Sequence, residues 1–352
     1  MKRTLIFSLL VTALIITACT PEPTAVPTAV AVTENPTEEV TAATPTFETY
    51  QLTIAAYPYL TEAPYFIAQE EGYFAEQGLE VEFIRFEKSA DVIPALISGQ
   101  LDVTTVLPNP ALFNSLAGGA EIRIVAGKGY VDTEGCSHVG LMVHPDVLAS
   151  GVLNDPQNWI GKKFSTDRGA LVEFAIDRFL VQNGITMDQM TYVEMPITSR
   201  LEALQNGSID IAAAGEPWIT RIRNAGAGEV WVSLEEMIPD SQYAVVMYGP
   251  TLTKEHPDVG VRFMAALLKG IAQYNEGKTE RNIAIIAQYT QMDPVEIEQA
   301  CWQSMRADGD INLQSLLDYQ TWAIEKGYVT EAVTGEMLWE PFFIDEAKLL
   351  LP

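Results

Sequence analysis

Two stretches about a hundred residues apart decide the fold: "LISGQLDV" at 96–103 and "LQNGSIDI" at 204–211. Aligned, both read Leu, two spacers, Gly, a spacer, an aliphatic residue, Asp and another aliphatic residue. Each marks the same physical junction. A helix ends at a glycine, the chain turns tightly, and a buried strand begins. The Asp before each strand is expected to serve as a turn or cap residue.

The sequence around each phrase follows one grammar. In the first half "LTIAAY" (52–57) reads as a strand, "APYFIAQEEGYFAEQ" (63–77) as a helix capped by Gly78, and "LEVEFIRF" (79–86) as a strand. Ser89 is placed to cap the helix that Gly99 ends, and "LDVTTV" (101–106) is a buried strand. In the second half "GKKFSTD" (161–167), "GALVEFAIDRFLVQNG" (169–184), "MTYVEMP" (190–196), "TSRLEALQNG" (198–207) and "IDIAAAG" (209–215) repeat strand, helix, strand, helix, strand. Two such units predict α/β lobes with parallel strands and right-handed crossovers. "VRFMAALLKGIAQY" (261–274) then carries apolar residues at helical spacing.

Composition limits what these lobes do. The chain has 352 residues, 48% of them hydrophobic, which suffices for two domains with cores. Its net charge is −26. So acidic a chain does not suit nucleic acid, whose phosphates require clustered cations. The three histidines, 138, 144 and 256, are scattered, so no metal site is expected, and no serine lies in a G-x-S-x-G context. "AQYNEGKT" (272–279) has relaxed phosphate-loop spacing, but it follows a helical pattern where that loop requires a strand.

The N-terminus gives an address. Lys2 and Arg3 precede the apolar run "TLIFSLLVTALII", and "ITAC" (16–19) resembles a bacterial lipobox. The resemblance implies a signal peptide over 1–18, cleavage before Cys19 and acylation of that cysteine, with palmitate among the acyl groups. Residues 20–49 hold nine Thr, five Pro, five Glu and no Lys or Arg. That composition reads as a disordered tether over 19–49. The expected location is the extracytoplasmic side of the cell membrane, held by a lipid anchor. Cys136 and Cys301 remain, and pairing or two buried free thiols both fit.

Four stretches in register carry a family resemblance: "APYFIAQEEGYFAEQGLEVEF" (63–83), "ALISGQLDV" (95–103), "IGKKF" (160–164) and "GEPW" (215–218). Over about 50–275 the chain resembles the solute-binding proteins of ABC importers in the sulfonate, nitrate, thiamine-precursor and riboflavin group. The resemblance implies a two-lobed periplasmic-binding-protein fold, type II-like, with the ligand cleft between the lobes. Lobe one is expected at 50–140 and lobe two at 145–242. Residues 243–352 are expected to supply a return strand and C-terminal helices packing on lobe one. The strand-like "VGLMVHP" (139–145) and "YAVVMYG" (243–249) are the expected crossings. The implied partners are a small-molecule ligand and a permease with its cytosolic ATPase. The protein itself is expected to be a monomer without a cofactor.

Ligands of open α/β sheets sit beyond the carboxyl ends of the strands. Those loops carry Tyr57, Tyr59, Thr61, Ser89, Thr105 and Asn109 in the first half, and Thr166, Arg168, Glu216 and Trp218 in the second. Tyr and Trp stack on a flat ring while their polar tips bond its edge. Glu216 is either an acceptor for a ligand N–H or a helix-capping acid. Trp218 is either a stacking platform or core of the second lobe. Arg168 is either an anion contact or an exposed helix-start residue. The aromatic and neutral polar inventory favours a heterocyclic vitamin or precursor, riboflavin first and an aminopyrimidine thiamine precursor next. A sulfonate or nitrate would want amides and Arg. An enzyme related to thiamine-pyrimidine synthase is the remote alternative, opposed by the export signal and by the isolation of Cys136 in "EGCSH". A tethered sensor presenting ligand to a receptor is a third possibility.

Overall fold

The computed structural model describes residues 48–86 and 91–351. The signal segment, Cys19, most of the expected tether and Ser89 lie outside the described residues.

Among the described residues ten strands form two five-stranded sheets. The chain first lays down β1 (Tyr50–Ala55), β2 (Leu79–Ile84), β3 (Val103–Val106) and β4 (Arg123–Tyr130). It then builds β5 (Val139–Val143), β6 (Lys163–Ser165), β7 (Thr191–Tyr192), β8 (Ile211–Gly215) and β9 (Glu229–Ser233), and returns with β10 (Gln242–Tyr248). The sheet orders are β2-β1-β3-β10-β4 and β7-β6-β8-β5-β9. In the first, β1 runs parallel to β2 and β3, while β10 is antiparallel to β3 and β4. In the second, β6 runs parallel to β7 and β8, while β5 is antiparallel to β8 and β9. β5 and β10 are buried along their whole length, as their largely apolar sequences suit inner strands; the amide side chain of Gln242 is bonded to the Gly129 and Ala244 carbonyls.

The two quoted phrases occupy equivalent places. The helices Val92–Ile97 and Ile197–Gln205 lead into Gly99 and Gly207, which adopt left-handed φ values of 71° and 73°. The two aspartates do more than the expected turn or cap duty. Asp102 Oδ2 accepts the Thr53 N–H and hydroxyl, both at 2.8 Å, and Asp210 Oδ2 accepts the Lys163 N–H at 2.8 Å. Asp102 therefore pins the backbone of β1 and Asp210 that of β6, the strands with which β3 and β8 pair.

Three expectations need correction. "APYFIAQEEGYFAEQ" forms two helices, Ala63–Glu70 and Tyr73–Glu76, because Gly72 takes a φ of 77° between them. The stretches expected as crossings are β5 and β10, full members of the sheets; the chain passes between the sheets at 131–138 and 234–241. The C-terminal region also does not stay on the first lobe. Helix Pro257–Tyr274 packs there, close enough to Ala63–Glu70 that a Cβ on Gly270 would lie 2.3 Å from the Pro64 carbonyl oxygen. Helix Leu313–Glu325 instead wedges Tyr319 between Phe113 of the first lobe and Phe174 of the second, at ring distances of 5.4 and 5.9 Å. Tyr319 thereby sits in one buried cluster that runs from Phe113 to Phe174.

"AQYNEGKT" begins in the last turns of helix Pro257–Tyr274 and leads to helix Glu280–Thr290, so no strand precedes it. Cys136 and Cys301 form a disulfide, with sulfurs 2.04 Å apart, joining the first crossing to the C-terminal region. Among the described residues no helix is long and apolar enough to cross a membrane.

Candidate ligand site between the lobes

The loop after β1 carries Tyr57, whose ring stacks on half-exposed Tyr59 with centroids 6.0 Å apart. The Tyr57 hydroxyl is buried and has no hydrogen-bond partner among the described residues. Burial raises its pKa, helped by Tyr59 and by the nearby carboxylates Glu62 and Asp91. Thr61 lies in the short 3-10 turn Leu60–Glu62. Thr105, at the end of β3, takes part in a buried cluster: Lys128 Nζ donates to Thr105 Oγ1 at 2.8 Å and to Glu62 Oε2 at 2.5 Å. Asn109 is used structurally. Its Oδ1 accepts the Leu112 N–H and its Nδ2 donates to the Leu107 carbonyl, capping helix Pro110–Ala117.

In the second lobe Thr166 follows β6, as Tyr57 follows β1. It is 2% exposed, and its hydroxyl has no hydrogen-bond partner among the described residues. Beside it Arg200 is buried and donates to Ser165 Oγ, the Ala213 carbonyl and Asp167 Oδ1, at 3.2, 2.9 and 2.7 Å. This arginine ties the ends of β6 and β8 together. Arg168 lies over the Tyr192 ring at 3.9 Å and 3.8 Å from Glu173, whose other oxygen accepts the Gly169 N–H. Glu216 accepts the Thr220 N–H and hydroxyl, capping helix Trp218–Asn224, and also the Cys301 N–H. Trp218 is partly buried against the second-lobe core and carries Arg221 over its ring at 5.0 Å.

The lobes meet on two sides of these strand ends. On one side Gly169 lies against Pro110, and Tyr319 donates its hydroxyl to the Gly169 carbonyl. On the other, His138 of the first crossing meets the Tyr243 ring edge-on at 4.6 Å. His138 Nε2 is buried without a partner among the described residues, while Nδ1 faces Glu235 at 3.6 Å. Burial and Asp167 hold the Tyr243 phenol neutral.

Sequence reasoning named Tyr57, Thr105 and Thr166 but missed Glu62, Lys128, Arg200 and His138. A signal for Lys128 existed: a cation in the interior of the strand "RIVAGKGY", whose other cation, Arg123, stands at its start. Arg200 looked like an ordinary helix residue.

Among the described residues two buried hydroxyls, one per lobe, thus have no hydrogen-bond partner. The cations around them are engaged: Lys128 with Glu62, Arg200 with Asp167 and Arg168 with Glu173. Among the described residues no group of three or more His, Cys, Asp or Glu side chains is arranged to hold a metal.

Two sheets of this order, joined by two crossings, have the two-lobed fold of periplasmic solute-binding proteins. The chain belongs to the NMT1/THI5-like family, whose model matches residues 61–277. It is 25% identical over 245 residues to the bicarbonate-binding protein CmpA of a Synechococcus species, a match covering 64% of this chain and 53% of that protein. A Bacillus subtilis relative, 23% identical over 225 residues (61% of this chain), is covered over 63% of its length. The chain thus spans less than two thirds of these curated relatives. Among solved structures, the ligand-binding component of an ABC-type import system from Staphylococcus aureus, with zinc bound, superposes with a TM-score of 0.70 at 18% identity. That match covers 85% of this chain and 99% of the other. The periplasmic nitrate-binding protein NrtA from Synechocystis follows the same fold, with a TM-score of 0.68 at 15% identity over 86% and 89% of the two chains. The desulfurization enzyme DSZB shares it too, at a TM-score of 0.62 and 13% identity over 85% and 99%.

Proposed function

We propose that this protein is the extracytoplasmic solute-binding component of an ABC importer, anchored to the membrane through an acylated Cys19, and that it captures a neutral aromatic heterocycle. The reading of the ligand rests on one observation above all: among the described residues the buried hydroxyls of Tyr57 and Thr166 lack partners, while Lys128, Arg168 and Arg200 each face a carboxylate. A buried hydroxyl left unbonded is costly, so a ligand that satisfies one from each lobe gains affinity as the lobes close on it. Tyr57 and Tyr59 supply ring surface for stacking. Riboflavin combines a flat ring with a hydroxylated chain and is the first ligand to try; an aminopyrimidine thiamine precursor is the second.

Closure then couples capture to delivery. A ligand bridging both lobes shifts the population toward the closed form by its differential affinity for it. The closed form is the one that docks on the permease, whose ATPase drives release. Docking of so acidic a chain on basic permease loops is slowed by salt.

A small anion is the competing class, since the named ligands of two relatives are bicarbonate and nitrate. Titrating the protein with riboflavin while following flavin fluorescence and the melting temperature separates the two. At a hundred times Kd a ligand adds about 2.7 kcal/mol of stability, which a melt resolves. Silence with riboflavin and aminopyrimidines, together with a melt raised by nitrate, bicarbonate or an alkanesulfonate, refutes the heterocycle reading.

A further inference from the structure

Lys128 is fully buried, on the strand β4. Its Nζ donates to Glu62 Oε2 at 2.5 Å and to Thr105 Oγ1 at 2.8 Å, and it lies 4.0 Å from the centroid of the Tyr65 ring. The Tyr65 hydroxyl shares a hydrogen bond with the same Thr105 Oγ1, 3.0 Å away. Four side chains from four segments thus converge on one buried point.

Burying an ammonium is expensive even when it is paired, and an apolar side chain of similar length often stabilises a fold as well or better. What this pair holds is therefore informative. Glu62 closes the 3-10 turn that begins just after Tyr57 and Tyr59. Within that turn the Tyr59 N–H donates to the Tyr57 carbonyl at 2.8 Å and the Glu62 N–H to the Tyr59 carbonyl at 3.0 Å. One end of the loop is fixed by β1. The other is fixed by the Glu62 carboxylate.

We propose that Lys128 is a positioning residue for the ligand site: by gripping Glu62 and Thr105 from across the sheet, it holds the Tyr57–Glu62 loop so that the Tyr57 hydroxyl and ring face the ligand. The inference rests on the proposed solute-binding function.

It carries a pH signature. Burial draws the Lys128 pKa down to about 8, against the opposing pull of Glu62. The other groups facing it are Thr105, which does not titrate, and Tyr65, which burial keeps neutral well above pH 10. Behind Tyr65 stands Tyr248, held neutral in the same way. Raising the pH through about 8 therefore discharges Lys128 first, loosening its grip on Glu62. Ligand affinity falls over that window. Global stability does not, because a lysine whose pKa is lowered in the folded state contributes stability that grows as the pH rises from about 8 toward its ordinary value.

The test uses the full chain and its Lys128→Met and Glu62→Gln variants. Hydrogen exchange of the Tyr59 and Glu62 amides, corrected for intrinsic rates, reports the loop without any ligand. Riboflavin titrations at pH 7 and pH 9.5 report the site. The expected results are faster loop exchange in both variants, affinity weakened about tenfold or more in each, and a wild-type affinity that declines with pH while Lys128→Met shows no such decline. Unchanged loop protection, or a loosened loop with unchanged affinity, overturns the proposal. If Lys128→Met fails to fold, Glu62→Gln and the wild-type pH profile decide. If the wild type binds no riboflavin, the titrations are repeated with an aminopyrimidine; silence with both, with binding of a small anion, sinks the ligand reading alone, and loop exchange still decides whether Lys128 holds the loop.

Discussion

Glu216, on the second lobe, accepts the backbone N–H of Cys301 at 3.0 Å, and Cys301 is bonded to Cys136 in the first crossing. One carboxylate therefore joins the second lobe, a crossing and the C-terminal region. Arg221 with Glu296, and Asn224 with Gln299 at 3.1 Å, extend the same seam. The "GEPW" stretch (215–218) acts here as a joint between lobes, and Glu216 has its bonds filled from within the protein.

Replacing Glu216 with Ala removes a helix cap and leaves the Cys301 N–H without its acceptor. The expected loss is about 1–3 kcal/mol, read as a lower midpoint in thermal or urea unfolding. Glu216→Gln keeps an acceptor oxygen and loses less. Equal midpoints for wild type and Glu216→Ala would show that the joint contributes nothing.

Reducing the disulfide frees two points 165 residues apart in the chain. Cross-links closing long loops stabilise by about 2–4 kcal/mol. The double variant Cys136→Ala/Cys301→Ala is expected to melt lower by a corresponding amount. It should also lose the Glu216 effect in part, since Cys301 is then no longer held in place.

Trp322→Phe tests the wedge helix. It deletes the 2.9 Å bond from the indole N–H to Asp177 Oδ2 but leaves Lys326 paired with Asp177 Oδ1, also at 2.9 Å. The folded protein should lose about 1 kcal/mol. Ligand dissociation should quicken, because this helix fastens the second lobe while Asn114 of the first lobe holds the Tyr328 carbonyl at 2.9 Å. Stopped-flow dissociation that matches the wild type would confine the helix to a passive role.

Alkaline pH has a signed effect. Burial raises the pKa of Tyr65, Tyr243, Tyr248, Tyr274 and Tyr319 above the ordinary 10.0. In the unfolded chain these phenols ionise as the pH passes 10, while the folded protein keeps them protonated. Stability therefore falls above pH 10, by up to about 1.4 kcal/mol per pH unit for each such group. A urea midpoint that stays flat from pH 9 to 11 would contradict this.

The repeat of "LISGQLDV" and "LQNGSIDI" made the two-lobed plan legible, because a left-handed glycine and a strand-leading Asp are local requirements written in local sequence. The places of Tyr57 and Thr166 just past the ends of β1 and β6 were legible for the same local reason. Lys128, Arg200 and the Tyr319 wedge were not. Their roles depend on partners 66, 33 and 150 residues away, and no short-range pattern encodes such pairings. The cysteines left pairing open because their approach is set by the crossing and the C-terminal segment together.

On the proposed reading, the hydroxyls of Tyr57 and Thr166, without partners among the described residues, meet a neutral heterocyclic ligand. Calorimetric titration of riboflavin into the wild type, Tyr57→Phe and Thr166→Val tests it most directly. Both substitutions remove a hydroxyl that bonds to nothing among the described residues, so the ligand-free melting temperatures should hold or rise. The account predicts one riboflavin per protein and affinity weakened about tenfold in each variant. Binding indifferent to both substitutions, or heat released by nitrate or an alkanesulfonate and by no heterocycle, would contradict it.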